Sequence, residues 1–377
     1  MRTVRDIEIL QDIPVLVRAA LNVPVVGGKV ENAFRLSKAL PTIKYLMGEH
    51  AKVILCGHIG EAGTETLKPV YDEMKKSLPT LAWCPVSTGP EARAAARALP
   101  AGGVLMLENL RRDKGETGNS SAFAAKLAEL ADIFVEDSFD VCHRSHASVV
   151  GVPQLLPSYA GLLVEKEVAE LLKALKPKSP SLAVIGGAKF STKEPVLKSL
   201  LSVYDRVYVG GALGNDFAAA RGFDIGKSLS SGGDLSPEKA MLADPKLMTP
   251  TDAIVAPPGA QRAAGHAVAI DAIPKDEAVL DDGPESAAAL AALASTAKSV
   301  LWNGPLGNYE HGFEDATDSL ARAIAASGAY SVIGGGDTVG AIEKLGIDDR
   351  FSFISTGGGA MLDFLAKGTL PGIQALG

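Results

Sequence analysis

Short apolar runs recur along the chain at residues 15–17, 53–56, 104–107, 133–135, 182–185, 207–209, 254–256, 300–302, 331–333 and 351–354. They are rich in Val, Ile and Leu and lack polar alternation, the pattern of strands buried on both faces. Helix-period stretches separate them. Leu36, Leu40, Ile43 and Met47 fall at i, i+4, i+7 and i+11, which predicts one amphipathic stripe running through Pro41. Residues 160–175 read as a single helix, and the stiff segment Lys176-Pro-Lys-Ser-Pro180 that follows is the expected domain boundary. Alternating strands and helices predict an α/β protein with parallel sheets and helices on both faces. Such sheets bind ligands beyond the carboxyl ends of their strands, so the residues after each run are the place to look for chemistry.

Those residues differ between the two halves. After the early runs stand Arg18 and Asn22, His58, Arg111, and His143-Arg144-Ser-His146. After the later runs stand Gly186-Gly-Ala-Lys189, Gly210-Gly211, Pro257-Pro-Gly259, Asn303-Gly-Pro-Leu-Gly307, Gly334-Gly-Gly-Asp337-Thr338 and Ser355-Thr-Gly-Gly-Gly359. The first set, with Arg35, reads as a pocket for a phosphorylated acid, because guanidinium forks match phosphate and carboxylate. Singly, each arginine would pass as a solvated charge. The two histidines at 143 and 146 also raise a metal site, but the arginine between them favours an anion.

The second set reads as backbone cradles. A glycine loop between a strand and a helix aims free N–H groups and a helix dipole at an anion, and lets a phosphate approach without a Cβ in the way. One triplet alone is equally a tight turn; two, beside a third loop carrying Lys189 and Lys193, point to phosphate. The dinucleotide fingerprint Gly-x-Gly-x-x-Gly fails in both triplet loops, where Val339 and Leu362 fill its last position. Gly222-Phe-Asp-Ile-Gly226-Lys227-Ser228 imitates a P-loop but is one residue short, with Arg221 where the first glycine belongs, and reads as a helix end followed by a loop. Asp337 is placed for Mg²⁺ held partly by nucleotide phosphates, or as a helix N-cap. Glu310 is a candidate for ribose hydroxyls. A cationic pocket in one half and cradles with lysines in the other are the layout of phosphoryl transfer.

Length and composition narrow the classes further. At ~150 residues per domain, 377 residues favour two domains. A net charge of −7 argues against nonspecific nucleic-acid binding. Forty glycines exceed the ~7% norm without a collagen period, which fits ligand-approaching loops. Cys56, Cys84 and Cys142 show no CxxC spacing and read as buried thiols of a reducing compartment. The charged start of the chain and the lack of an apolar window of ~18 residues lead us to expect a soluble, cytoplasmic protein with no membrane partner.

Taken in order, Val17-Arg-Ala-Ala-Leu-Asn-Val-Pro24, Ala39-Leu-Pro-Thr-Ile-Lys-Tyr-Leu46, Leu107-Glu-Asn-Leu-Arg111, His143-Arg-Ser-His-Ala-Ser148, Gly186-Gly-Ala-Lys-Phe-Ser-Thr-Lys193, Trp302-Asn-Gly-Pro-Leu-Gly307, Gly334-Gly-Gly-Asp-Thr338 and Ile354-Ser-Thr-Gly-Gly-Gly-Ala360 resemble the phosphoglycerate kinase family essentially end to end. The resemblance implies two Rossmann-like lobes with mainly parallel sheets, joined by an interdomain helix and hinge. Residues 1–159 would hold 3-phosphoglycerate, 160–176 form the helix, 177–365 hold MgATP or MgADP, and 366–377 return to the first lobe. It further implies a monomer with small-molecule substrates. Asn22, Arg35, His58, Gly60, Arg111 and Arg144 match the acceptor contacts, with Arg35 at the transferring group. Lys189 and Lys193 match the lysines that follow the phosphates. Gly187, Ala188, Gly211, Asn303, Glu310, Gly335, Gly336 and Thr338 match nucleotide contacts, Asp337 the magnesium-linked acid, and Gly357 and Gly358 amides facing the transition state.

The sequence also departs from the family pattern. Ala20 stands where an aspartate usually holds the substrate hydroxyl, and Glu61 where an arginine usually joins the phosphate pocket. Glu136, Ser138, Asp140, Val141 and Cys142 are further substitutions on the acceptor side, while Gly259 and Phe353 depart beside the nucleotide. These departures leave two other readings: a nucleotide-binding protein with little catalysis, or a kinase for a different phosphorylated acid. A nicotinamide dehydrogenase shares the fold class but lacks the fingerprint.

Overall fold

The computed structural model describes all residues, Met1–Gly377. In chain order its strands are β1 (Pro14–Ala19), β2 (Val25–Val26), β3 (Lys29–Val30), β4 (Lys52–Cys56), β5 (Ala82–Cys84), β6 (Val104–Leu107), β7 (Ile133–Asp137), β8 (Ser158–Ala160), β9 (Ser181–Ile185), β10 (Arg206–Val209), β11 (Leu247–Met248), β12 (Asp252–Ala256), β13 (His266–Ala269), β14 (Ala278–Asp282), β15 (Ser299–Asn303), β16 (Tyr330–Gly334) and β17 (Phe353–Ile354). Two compact units result, Met1–Ala169 with Thr369–Gly377, and Glu170–Gly368. The division falls inside the helix Leu162–Ala174 rather than in the proline-rich segment after it.

The first unit is built on a six-stranded sheet in the order β5-β6-β4-β1-β7-β8, with every pairing parallel. Val15, Val17, Val53 and Leu55 of its central strands share a core with Leu36, Ala39, Ile43 and Leu46 of the helix Phe34–Gly48. That helix passes unbroken through Pro41. Its buried face differs from the predicted stripe: Leu40 and Met47 lie at the margin, and Ala39, Thr42 and Leu46 face inward. Small Ala39 and Thr42 let the helix sit close to the sheet, where the Thr42 hydroxyl accepts the Leu162 N–H at 2.9 Å. The last residues belong to this unit, with the Gly372 N–H donating to the Cys142 carbonyl at 2.8 Å. The first residue of the stretch expected to be helix, Ala160, instead ends edge strand β8; the helix starts at Leu162, and the buried Asp137 carboxylate accepts the Leu163 N–H at 2.9 Å.

The second unit carries another parallel six-stranded sheet, β11-β10-β9-β15-β16-β17, whose core includes Leu182, Val184, Val300, Trp302, Leu320 and Ile333. The run at 254–256, expected to join a parallel sheet, is instead the middle of a three-stranded antiparallel sheet, β13-β12-β14. The chain after β12 explains this. The link from β12 to β13 is shorter than the crossover of a dozen or more residues that a parallel neighbour needs, so β13 turns back antiparallel, and β14 pairs along the other side of β12. Three free cysteines, Cys56, Cys84 and Cys142, are buried. No helix is long and apolar enough to cross a membrane.

Candidate functional site

In the first unit, the loops after β1, β4, β6 and β7 leave the same edge of the parallel sheet and carry most of the cations anticipated from sequence. At its centre is Arg18, a fully buried side chain at the end of β1. Its Nε donates to Ser148 Oγ at 3.1 Å, its Nη2 contacts His58 Nδ1 at 3.2 Å, and the same Nη2 lies 4.0 Å from Glu116 Oε1. Guanidinium is donor only, so His58 accepts at Nδ1 and carries its proton on Nε2. Burial, followed by the charges of Arg18, Arg111, His146 and Arg35, holds His58 well below the usual imidazole range. His146 is lowered to about 4 by burial and by Arg18, Arg111, Arg144 and His143. Both imidazoles are therefore neutral at pH 7. The charges of Arg35, Arg111 and Arg144 thus act on the two neutral imidazoles, which lie in one positive field.

Acidic side chains line the same region. Glu136 is fully buried beside Arg18, and desolvation outweighs the arginine's attraction, pushing its carboxyl up to about 8. Arg35, in the first turn of its helix, donates from Nη1 to the Asn22 carbonyl at 2.7 Å, and Nη1 lies 3.9 Å from Asp140 Oδ2. The Asn22 side chain accepts the Gly60 N–H at 3.1 Å. Arg111 donates to the Gly60 carbonyl at 2.5 Å and meets Glu61 at 3.1 Å. Asn22, Arg35 and Gly60 line a cleft of about 460 Å³, together with Glu65 and Thr66. Arg144 is exposed, and Ala20 is buried with only a methyl group to offer.

In the second unit, four helices start just past the ends of parallel strands: Phe190–Val203, Ala212–Ala220, Gly336–Leu345 and Gly358–Lys367. Their first N–H groups have no partner within the helix and lie at the positive end of its dipole. The loops are fastened by backbone contacts. Gly186 N–H donates to the Asn303 carbonyl at 2.8 Å, Gly187 N–H to the Pro305 carbonyl at 2.9 Å, and Gly304 N–H to Thr338 Oγ1 at 2.9 Å. Asn303, buried, donates from its amide to the Gly358 carbonyl at 3.3 Å.

Some glycines are therefore there for other backbone, whereas others leave room. A Cβ on Gly186 would collide with the Gly304 and Pro305 carbonyls, and one on Gly358 would come 2.8 Å from the Gly335 Cα. At Gly336 nothing lies within 4 Å. We expect Gly186→Ala to destabilise the second unit by about 1–3 kcal/mol, as overpacking does, measured as a fall in denaturation midpoint. Gly336→Ala, which meets no neighbour, should stay close to the native midpoint.

Lys189 takes a left-handed conformation, φ +65°, as N-cap of the 190–203 helix. Lys193, one turn on, is half-buried, and its ammonium donates to the Ala188 carbonyl. Burial, and then the charge of Lys189, lowers its pKa. A cleft of about 450 Å³ gathers Gly187, Ala188, Gly211 and Asp337. Asp337 does not cap the helix: Gly335 holds the N-cap position, leaving Asp337 exposed in the first turn. Glu310 is exposed on the turn Tyr309–His311, beside Asn308, which lines the cleft.

The same cleft includes groups that the sequence did not single out as binding residues, Lys227, Leu229 and Asp281. Lys227 sits in the P-loop look-alike, which is a loop and not a strand–loop–helix unit. Asp281 and Asp282 look in sequence like surface acids before a Gly-Pro turn, but both are buried. Asp282 accepts the Tyr208 hydroxyl at 2.8 Å and the Gly211 N–H at 3.1 Å, fixing a wall of the cleft, and burial raises it to about 7.

A family model described as phosphoglycerate kinase matches residues 4–368. The chain belongs to the phosphoglycerate kinase family. It is 42% identical to the phosphoglycerate kinase of Moorella thermoacetica, over 99% of this chain and 98% of that protein, and 42% identical to that of Thermus thermophilus over the whole of both. Among solved structures, phosphoglycerate kinase from Coxiella burnetii superposes with a TM-score of 0.83 at 37% identity, covering 99% of this chain and 98% of that one. The enzyme from Pyrococcus horikoshii gives 0.87 at 30% identity, covering 100% and 98%. Two Rossmann-like α/β units with mainly parallel sheets are thus the family fold.

Proposed function

We propose that this chain is a phosphoglycerate kinase, transferring a phosphoryl group reversibly between MgATP and the carboxylate of 3-phosphoglycerate to give MgADP and 1,3-bisphosphoglycerate, a step of glycolysis and gluconeogenesis. The observation that carries this reading is the full-length match to enzymes of that name, spanning both the cationic edge of the first sheet and the glycine loops of the second.

The residues fit the chemistry. A carboxylic acid near pKa ~3.5 is already ionised at pH 7, so its oxygen attacks phosphorus without a general base. No proton moves. What remains is to hold the partners in line and to neutralise charge spreading over three equatorial oxygens. We assign acceptor binding to Asn22, His58, Gly60, Arg111 and Arg144, with the His58 Nε2–H as a neutral donor. Arg35, Lys189 and Lys193 supply positive charge to the transferring group, and the helix amides at Gly357 and Gly358 add fixed dipoles. Gly187, Ala188, Gly211, Gly335, Gly336 and Thr338 form the nucleotide cradle, with Asn303 bracing its loops and Glu310 at its rim.

Mg²⁺ fits Asp337, because magnesium commonly takes only one or two protein carboxylates and completes its shell with phosphate oxygens and water. When bound it would neutralise phosphate charge. No group of three or more His, Cys, Asp or Glu is placed to hold a metal, so Asp337 would share the ion with the nucleotide. We further propose a cytoplasmic monomer whose partners are small molecules. Calorimetric titration tests the nucleotide assignment: ADP should bind more tightly with Mg²⁺ than without, and Asp337→Asn should remove most of that difference. NADH binding in the absence of ADP binding would overturn it.

A further inference from the structure

The loop after β4 places a negative charge on a cation that the acceptor needs. Gly60 and Gly63 both have left-handed backbone, φ +69° and +73°, so the chain turns sharply on either side of Glu61. The turn is pinned. The Gly60 N–H is held by Asn22, its carbonyl by Arg111, and a Cβ on Gly63 would collide with the Arg111 carbonyl. With the backbone fixed at these points, Glu61 Oε2 reaches Arg111 Nη1 at 3.1 Å. The two ends of this pair differ in environment: the Arg111 side chain is 7% exposed and the Glu61 side chain 92%. The guanidinium is nearly buried and held by the Gly60 carbonyl, and the carboxylate is free to swing into water.

We infer that Glu61 is a specificity-determining residue, a built-in carboxylate that occupies Arg111 when no acceptor is bound and that an incoming anionic group must displace. This rests on the reading of Asn22, Gly60 and Arg111 as acceptor groups. Displacement breaks one charge-assisted contact for each one formed at Arg111, and the displaced carboxylate stays tethered nearby and repels a dianion. Glu61 therefore raises the acceptor concentration needed for half-saturation and leaves the nucleotide side alone. An exposed pair is individually weak and screened by salt, so the effect is modest and largest at low ionic strength.

The test compares native protein with Glu61→Gln, titrated with 3-phosphoglycerate by calorimetry at low and at physiological salt, with MgADP as the reference ligand. The exposed position makes the substitution structurally mild; Glu61→Ala provides a second variant. Both should bind 3-phosphoglycerate about twofold to fivefold more tightly at low salt, with a smaller gain at higher salt and unchanged MgADP affinity. Equal 3-phosphoglycerate affinity in native and variant proteins would overturn the role of Glu61 while leaving the acceptor assignment standing. Absence of binding and turnover with 3-phosphoglycerate in all three proteins would overturn the acceptor assignment itself, and this inference with it.

Discussion

Replacing Lys193 by alanine should lower kcat by about 10²–10³, the usual loss when one preorganised electrostatic group is removed from a transition state. The expectation follows from where the ammonium sits. It is half-buried, neighbours a second cation at Lys189, and has its pKa lowered by both effects. A charge held under those conditions is poorly screened and gains most when negative charge develops nearby. Arg35→Ala should have a loss of similar size, since its guanidinium is fixed by the Asn22 carbonyl at 2.7 Å and so costs little to orient. Neither side chain is part of a hydrophobic core, and both variants should keep the native denaturation midpoint. Turnover close to native in either variant, measured with nucleotide and acceptor saturating, would contradict these assignments.

Removing Arg18 should act on folding instead. Its side chain is fully buried among Glu116, Glu136, Ser148 and His58. Arg18→Met keeps much of the volume and deletes the charge, leaving buried Glu116 without its cation. Stripping one partner from a buried ionic cluster typically costs about 3–5 kcal/mol. Glu136, already raised to about 8, would lose the arginine's attraction and keep its proton to higher pH, so the loss should be larger at pH 8 than at pH 6. The sign follows from the native carboxyl sitting above its unfolded value: protonated native protein binds the extra proton that the unfolded chain gives up. Urea denaturation of native and variant protein at pH 6 and 8 measures this. A loss under ~1 kcal/mol at both values would show that the cluster is not held by Arg18.

The main strands were legible in the sequence because they are buried on both faces, so apolar runs such as 182–185 carry the signal unaided. The antiparallel sheet was not, since His266–Ala269 and Ala278–Asp282, which flank β12, mix polar and apolar residues without the continuous apolar run that marked the other strands. The helix at 34–48 was legible as a helix, yet its inward face turned on Ala39 and Thr42, small residues that a search for large apolar side chains passes over. At the site, arginines and glycine loops after strand ends were visible as types at positions. Their mutual contacts were not. Glu61 and Arg111 lie 50 residues apart in the chain, and nothing local to either residue announces a 3.1 Å pair. Lys227 was hidden by a look-alike motif, and Asp281 and Asp282 by a turn-like context that the fold buries.

The central claim, phosphoryl transfer between MgATP and 3-phosphoglycerate, is tested most directly by a coupled assay in both directions. One direction supplies MgATP and 3-phosphoglycerate and follows 1,3-bisphosphoglycerate; the other supplies MgADP and generated 1,3-bisphosphoglycerate and follows ATP. The account predicts saturable turnover in both, dependent on Mg²⁺ and strongly reduced in Lys193→Ala. Tight MgADP binding with no turnover of 3-phosphoglycerate in either direction would contradict it.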